Sequence, residues 1–409
     1  MIEFLKQLRG NPRGCLFVEP MWAIPFNLYA PFVTLYMHQL GVLDVQIGII
    51  LAVSRLLQML IAPFGGIITD KLGRHKTTLY FDLLSWSLPS LIWALSQNFY
   101  WFIAAAVFNS FMQITMVSWE CLWLDEIEES QIGFYYNWLY IAGLLAVFFA
   151  PLAGLFVGQY GVVAVVRVIY GIAFVSKTTM FLLRHQLTTE TTVGRERMQV
   201  TQGRQLRTLL GEYRGVVGLI WRSFEMKQAL IMQTLMGILV MVSGTFFALF
   251  ATQSLHTPEA FLAYFPMLRA GIMLLFIFFA QGVLSRYRQS RVMLVGMGLY
   301  LLTFGWLIVA PPHATWWLMV FVALDAVASG LLFPRIEALA ATSIDQTERA
   351  RIRSLFNMFI FGVSAPFGLL VGVLSEQNRS WPFVLNMGLL VVMAGVLLMK
   401  KRLSFPATD

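Results

Sequence analysis

The stretch Gly66-Ile-Ile-Thr-Asp70-Lys-Leu-Gly73-Arg74-His-Lys76 joins two long apolar runs and is the most informative segment of the chain. Gly66 permits the close approach of a neighbouring helix, and Gly73 permits the tight turn that a very short loop requires. Asp70 stands where the chain leaves an apolar run, so its carboxylate can face the positive N-terminus of a neighbouring helix. Arg74 and Lys76 can pair with carboxylates. Because such contacts can form and break between two conformations, we interpret the stretch as a conformational latch rather than a catalytic site.

The composition on either side of this stretch is that of a membrane protein. The 409 residues are 58% hydrophobic and 12% charged, and the charged fraction is about half that of a soluble domain. Repeated apolar runs of about 20 residues indicate repeated bilayer crossings. Each crossing must be a helix, because backbone amides in hydrocarbon need partners within their own segment. We therefore predict an all-α integral membrane protein surrounded by lipid.

Twelve apolar runs are predicted to span the membrane, with a polar segment between the sixth and the seventh. They cover residues 14–37, 44–68, 76–96, 99–124, 134–158, 161–183, 227–252, 260–284, 291–310, 315–340, 354–375 and 381–399. The predicted organisation is a six-helix bundle over residues 1–183, a linker over 184–226 and a second six-helix bundle over 227–409. Apolar residues between Leu206 and Ile220 recur at helical spacing, which indicates an amphipathic helix on the inner membrane face. A solvated linker helix is the alternative.

Basic residues are distributed unevenly between the two sets of connections. The connections that lead from odd to even spans contain a single Lys or Arg, Arg379, whereas the opposite connections and the termini contain nearly all the other loop cations. The positive-inside rule places both termini and the linker in the cytoplasm. We predict a multi-pass protein of the cell membrane. The net charge of +8 follows from this distribution and does not indicate a nucleic-acid partner.

The two halves of the chain resemble each other at an offset of about 215 residues, the spacing expected of an internal duplication. Four pairs occupy equivalent places in the topology: Gly66 and Gly282, Tyr100-Trp101 and Trp316-Trp317, Asn109 and Asp325, and Pro151 and Pro366. The duplication predicts two six-helix bundles related by a pseudo-two-fold axis along the membrane normal, with a site between them at mid-depth.

The motif in residues 66–76 and the twelve-span topology resemble the major facilitator superfamily of transporters over essentially the whole chain. The resemblance implies that Asp70 meets the start of the eleventh helix near Ser354. It also implies that Arg74 pairs with an acid at the end of the fourth helix, where Asp125 and Glu126 stand. The family architecture further implies that the first, fourth, seventh and tenth helices line a central cavity.

The fifth span contains Ala150-Pro151-Leu-Ala-Gly154, which resembles a degraded form of the Gly-Pro-x-x-Gly-Gly motif of the family's proton-coupled exporters. Ala150 and Leu155 stand where the motif has glycine. The alternative is a proline kink relieved by small neighbours, as in any membrane helix, with Pro366 at the equivalent place in the second half. Those exporters usually carry a basic residue in the middle of the fourth span, where this chain has Asn109.

Polar and ionisable residues inside membrane spans are costly and are functional candidates by default. The candidates for proton or substrate handling are Asp325, Glu19, Asn109, Gln113, Arg55 and Arg269. For the Asn109 and Gln113 face the alternative is hydrogen bonding between helices. The two arginines either bind an anionic solute or pair with buried acids such as Asp325. All five histidines lie in loops or at helix ends, so carboxylates would carry any coupled proton.

Together these patterns predict a secondary transporter that moves a small organic solute by alternating access, with export driven by inward proton flow. The alternatives are a symporter or facilitator for uptake of a sugar or organic anion, and a non-transporting membrane sensor or scaffold. The sequence has no nucleotide-binding glycine loop and no plausible catalytic set, and its two cysteines form no metal site. We therefore expect neither an enzyme nor a cofactor, and we expect a monomer.

Overall fold

The computed structural model describes residues 8–128, 131–203, 218, 220–280, 284, 286–343 and 349–399. Within these ranges helices are joined by short connections, and no strand is present. The predicted all-α membrane fold is confirmed. Ten helices are long and apolar enough to cross a membrane, judged by length and composition. The first and third spans complete the predicted twelve, but each is built from shorter helical segments.

The bounds of the spans are close to those expected from hydropathy. In chain order they are Gly10–Val18 with Pro20–Tyr29, Ala30–Phe32 and Val33–Gln39; Asp44–Ile61 with Phe64–Leu72; Arg74–Asp82 with Leu83–Ser87 and Leu88–Leu95; Phe99–Asn109 with Met112–Leu124; Ile132–Val147 with Ala150–Tyr160; Val162–Leu187; Phe224–Leu249 with Phe250–Ser254; Glu259–Ala263 with Tyr264–Phe279; Gln289–Ile308; Thr315–Ser343; Arg349–Gln377; and Trp381–Met399.

Proline and π-helical segments explain why two of the spans are segmented. In the first span, Pro20 and Pro31 open new segments and Pro25 lies inside one, because proline removes a backbone donor and clashes with the preceding turn. In the third span, residues Leu83–Ser87 form a π-helical turn, which is frequent at functional sites. The fifth span is interrupted just before Pro151, whereas the eleventh helix continues through Pro366.

A short helix, Thr192–Thr201, follows the sixth span and is capped by the Thr191 hydroxyl, which accepts from the amide of Gly194. Most of the predicted amphipathic helix between Leu206 and Ile220 lies outside the described residues, and so does Gly282 of the second-half motif copy.

The bundle has two ends, which we name by their connections. The motif end carries residues 66–76, and the far end carries the connections at 40–43, 96–98, 161, 255–258, 309–314 and 378–380. Near the far end the second and eleventh spans meet backbone to backbone. A Cβ added to Gly48 would lie 2.7 Å from the carbonyl oxygen of Gly368 and 2.9 Å from Cα of Gly372. We call this contact the glycine seam.

A second close contact joins the fifth and eighth spans near the same end. A Cβ on Gly154 would lie 2.5 Å from the carbonyl oxygen of Ala260, so a side chain at this position is excluded. Small residues that let helix backbones approach closely are the usual basis of packing between membrane helices. The first six spans and the last six are therefore held together by two such contacts at the far end.

Polar contacts reinforce this closure of the far end. Asp44 accepts from the hydroxyl of Ser375 at 2.7 Å and lies 3.4 Å from the guanidinium of Arg379. Gln39 of the first span donates to Glu259 of the eighth at 2.5 Å. Asp44 is 3% exposed, so its ion pair is largely protected from solvent screening.

Candidate functional site

At the motif end, Arg74 is the centre of a buried polar cluster. Its Nε donates to Asp125 Oδ2 at 2.6 Å, and its terminal nitrogen lies 3.5 Å from Asp70 Oδ1. The Thr191 hydroxyl donates to the same Asp125 oxygen at 2.7 Å. The side chain of Arg74 is 6% exposed and that of Asp125 is 15% exposed. These contacts join the second, third and fourth spans to the start of the linker.

Glu190 completes this cluster and was not among the residues singled out from the sequence. Its carboxylate accepts from the backbone amides of Arg74 and His75, each at 3.0 Å, at the N-terminus of the third span, where a negative charge is favoured. Gly73 has φ +85° and ψ 158°, a conformation that is essentially restricted to glycine. A Cβ there would overlap the Glu190 carboxylate. The separation of more than a hundred residues between Glu190 and the motif leaves no local sequence signal for this contact.

Three details of the motif differ from expectation. Gly66 faces open space, and Gly65 makes the close approach instead, with a Cβ position 3.0 Å from the carbonyl oxygen of Gln113. The expectation for Gly66 was therefore wrong by one residue. The hydroxyl of Ser354 is buried without a hydrogen-bond partner among the described residues, so it does not bond Asp70 in this conformation. Lys76 is exposed.

A second charged pair lies one helical layer deeper. Asp82 of the third span forms an ion pair with Arg184 of the sixth and accepts from the Thr115 hydroxyl at 2.9 Å. Glu19 lies within electrostatic range of Arg184. Glu120 accepts from the hydroxyl of Tyr136. Glu19 therefore belongs to the surroundings of this pair and does not line the cavity described below.

In the last six spans, Arg269 pairs with Asp325. Arg269 also donates to the Ser329 hydroxyl at 3.0 Å, and Tyr300 lies beside the Asp325 carboxylate. The side chain of Asp325 is 7% exposed, whereas that of Arg269 is 42% exposed. Of the two interpretations of Arg269, pairing with a buried acid is the one that the structure shows.

Arg55, in the second span, is placed differently from Arg269 in the eighth. It donates to Gln58 at 3.3 Å and lies over the ring of Phe361 in the eleventh span, 5.4 Å from the ring centroid. Within the described part of the chain Arg55 forms no ion pair. It therefore lies at the contact between the two halves and does not reach Asp325.

A cavity of about 380 Å³ lies inside the bundle, between the middle of the spans and the far end. It is lined by Phe26, Tyr29, Ala30, Val33, Thr34, Met37, Ile50, Leu51, Ser54, Trp86, Pro89, Ser90, Trp93, Ala105, Ala106, Asn109, Tyr170, Lys177, Gly244 and Thr245. These residues come from the first four spans, the sixth and the seventh. The expectation that the tenth helix would line the cavity was wrong for this conformation, and Asp325, Arg55 and Arg269 lie outside the lining.

Lys177 is the cation in that lining, and it is completely buried. Its ammonium donates to the Tyr29 hydroxyl at 2.9 Å and to the Ser90 hydroxyl at 3.4 Å. It also faces the rings of Trp22, Tyr29 and Trp86 at 5.7, 5.0 and 5.1 Å from their centroids, within the range of cation–π attraction. Lys177 was not among the candidate residues identified from the sequence.

Asn109 also belongs to the cavity wall. Its side-chain amide donates to the carbonyl oxygen of Ser85 at 2.9 Å, within the π-helical turn of the third span. The contact is a hydrogen bond between helices, which was the alternative interpretation of this residue. Gln113, one turn further towards the motif end, is buried and packs against Gly65 through its backbone. Among the described residues no group of His, Cys, Asp and Glu is arranged to hold a metal ion.

Solved structures show the same fold. The chain superposes on a crystal structure of the nucleoside transporter NupG with a TM-score of 0.72 and 15% identity, covering 96% of this chain and 100% of that one. It superposes on a POT family transporter in complex with 5-aminolevulinic acid with a TM-score of 0.73 and 12% identity, covering 97% and 96%. At these identities the likeness concerns the fold alone.

The fold and the polar clusters along its spans define a membrane transporter of the major facilitator type. The chain belongs to the MFS_1 like family, whose family model matches residues 25–385. As a member of a transporter family it is not an enzyme.

Two curated relatives resemble parts of the chain. The multidrug resistance protein MdtG of Salmonella paratyphi C (strain RKS4594) is 25% identical over 190 residues, which are 45% of this chain and 46% of the relative. The quinolone resistance protein NorA of Staphylococcus aureus is 35% identical over 73 residues, which are 18% and 19% of the two chains. The matches thus span less than half the length of either relative.

Proposed function

We propose that the protein is a secondary active transporter that moves a small organic solute by alternating access, with export driven by inward proton flow. The observation that carries the proposal is the position of the cavity. It lies between the middle of the spans and the far end, and begins within one turn of Gly48, where the glycine seam closes that end. A solute held there would face one end of the bundle while the other is closed, as alternating access requires.

During such a cycle, contacts at one end of the bundle must break as that end opens. The Asp44–Arg379 pair joins the two halves at the far end and has to break when that end opens. At the motif end we assign the gating role to the cluster of Asp70, Arg74 and Asp125, with the Gly73 turn held by Glu190. This arrangement keeps the charged latch separate from the cavity, so the latch controls access without contacting the solute.

Export is favoured by two observations on the sequence. The segment Ala150-Pro151-Leu-Ala-Gly154 resembles the motif of proton-coupled exporters, and the curated relatives carry the names of resistance proteins. Uptake is the second candidate, because proteins of the same fold are named as nucleoside and peptide transporters. We assign the coupled proton to Asp325, whose buried carboxylate is balanced by Arg269 and would release that arginine on protonation.

We further propose that both termini lie in the cytoplasm of a cell-membrane protein that functions as a monomer. The orientation rests on the distribution of Lys and Arg between the two sets of connections. A green fluorescent protein fused after residue 409 tests it, since that reporter fluoresces when it folds in the cytoplasm. A fusion that is translocated and does not fluoresce would contradict the proposed orientation.

The transport proposal is tested with purified protein in proteoliposomes that contain a pH-sensitive dye. A panel of organic solutes is first screened by thermal shift, because a bound ligand stabilises the state that it binds. We expect solutes that raise the melting temperature to cause proton movement, and Asp325→Asn to abolish it. Solute movement without protons would contradict the coupling. A panel in which nothing binds or moves would contradict transport itself.

A further inference from the structure

We propose that Lys177 is the anion-binding residue of the cavity and that the transported solute is a small organic acid with an aromatic ring. This inference rests on the proposed function, because it assigns a substrate class to the same cavity.

The first argument is the absence of a counter-charge. Lys177 is completely buried, yet no ion pair in the described part of the chain includes it. Burying a charge is costly unless it is paired. Two hydroxyls and three ring faces offset part of that cost, and one of the three ammonium donors has no hydrogen-bond acceptor. An anion that enters the cavity would supply both the missing charge and the missing acceptor.

The second argument is a comparison with other cations inside the spans. Arg269 is neutralised by Asp325, and Arg184 is neutralised by Asp82. Arg55 has no ion pair, but it lies against Phe361 at the contact between the halves and outside the cavity lining. Among the described residues, Lys177 is therefore the cation that lies in the cavity lining without an ion pair.

The third argument concerns the body of the solute. Phe26, Tyr29, Trp86, Trp93 and Tyr170 contribute aromatic rings to the cavity wall. Such rings favour stacked or edge-to-face contact with a flat apolar group. The volume of about 380 Å³ falls near the small end of the range of about 300–1,000 Å³ for ligand pockets. A cationic solute would be repelled by Lys177, so the wall and its charge together select an aromatic acid.

The test uses the full-length protein in detergent and two matched pairs of probes, benzoate with benzamide and 2-naphthoate with 2-naphthamide. Each pair differs in charge and hardly at all in shape. Titration calorimetry on the wild type is expected to show at least one acid binding about tenfold more tightly than its amide. Lys177→Met should remove that preference and Lys177→Arg should retain part of it. Arg167→Gln, which removes a cation from the same helix near the far end, should keep it in full.

Equal binding of acid and amide by the wild type, or binding of neither acid, overturns the assignment. A preference that survives in Lys177→Met overturns it as well. The wild-type comparison needs no variant, so a poorly folded Lys177→Met does not weaken the test. Flux of the same probes in proteoliposomes distinguishes failure of the substrate class from failure of the proposed transport function. Transport of neutral solutes without preference for acids would overturn the substrate class alone, whereas no flux of any solute would overturn the proposed function.

Discussion

Arg74 Nε donates a 2.6 Å hydrogen bond to Asp125 Oδ2 and thereby ties the first turn of the third span to the end of the fourth. Both side chains are largely shielded from solvent. Removing one member of such a pair leaves the other charge buried and without compensation. The motif end therefore depends on this contact more than on the remaining charges of residues 66–76.

Asp125→Asn is expected to destabilise the protein by about 3 kcal/mol, at the lower end of the range for broken buried pairs, because Asp125 remains 15% exposed. The measurement is thermal unfolding in detergent. Lys76→Gln is the matched control. Its side chain is exposed, so its loss should change the free energy of unfolding by about 0.5 kcal/mol or less. Equal effects of the two substitutions would contradict the conclusion that the motif end depends on the Arg74–Asp125 contact more than on its other charges.

The Arg269–Asp325 pair should behave asymmetrically when it is taken apart. Arg269→Gln leaves a carboxylate that is 7% exposed, whereas Asp325→Asn leaves a guanidinium that is 42% exposed. We expect the first substitution to destabilise the protein more than the second, and the double variant to recover part of the loss. Thermal unfolding of the four proteins gives the coupling free energy. Strictly additive effects would show that the pair contributes nothing to stability.

Arg379→Gln is expected to weaken the closure of the far end. The substitution removes the ion pair with Asp44 that joins the two halves, and should shift the population towards conformations open at that end. Spin labels at the exposed positions Gln159 and Pro312 report the change as longer distances in pulsed electron paramagnetic resonance. The exposed Arg222 at the motif end provides the control, as Arg222→Gln removes the same charge. An unchanged distance distribution in Arg379→Gln would refute this role.

Gly73→Ala tests the turn of the motif. The backbone there has φ +85°, and a Cβ would overlap Glu190, so the variant should lose at least about 1–2 kcal/mol of stability. Gly143→Ala is the control, because it faces open space within a helix and should gain up to about 1 kcal/mol. Differential scanning calorimetry of both variants distinguishes them. A Gly73→Ala protein as stable as the wild type would contradict the observed turn.

Much of the fold could be predicted from the sequence, because hydropathy and loop charge act locally along the chain. The helix bounds of the ninth span, Gln289–Ile308, differ by two residues from the predicted 291–310. The segments of the first span were not predicted, although its prolines explain them. The pairing of Arg74 with an acid at the end of the fourth span was available only through the family resemblance, since no local pattern links residues 74 and 125.

The candidate site was predictable only in part, because its geometry depends on long-range packing. The rings around the Lys177 ammonium are those of Trp22, Tyr29 and Trp86. They lie in the first and third spans, far from residue 177 in sequence. Helical periodicity could place each residue on a face but could not show which faces meet. For the same reason Arg55 and Arg269, both arginines inside apolar spans, have different surroundings in the structure.

The glycine seam gives the protein an unusual sensitivity to small changes in volume. At Gly48, Gly368 and Gly372 the two helices meet without interlocking side chains, and the bilayer supplies no hydrophobic force to press them together. At these three positions the helices can therefore separate without a change of side-chain rotamer. A single methyl group at residue 48 would keep the two helices apart. It would hold the protein in the conformation that is open at the far end, which could then be studied directly.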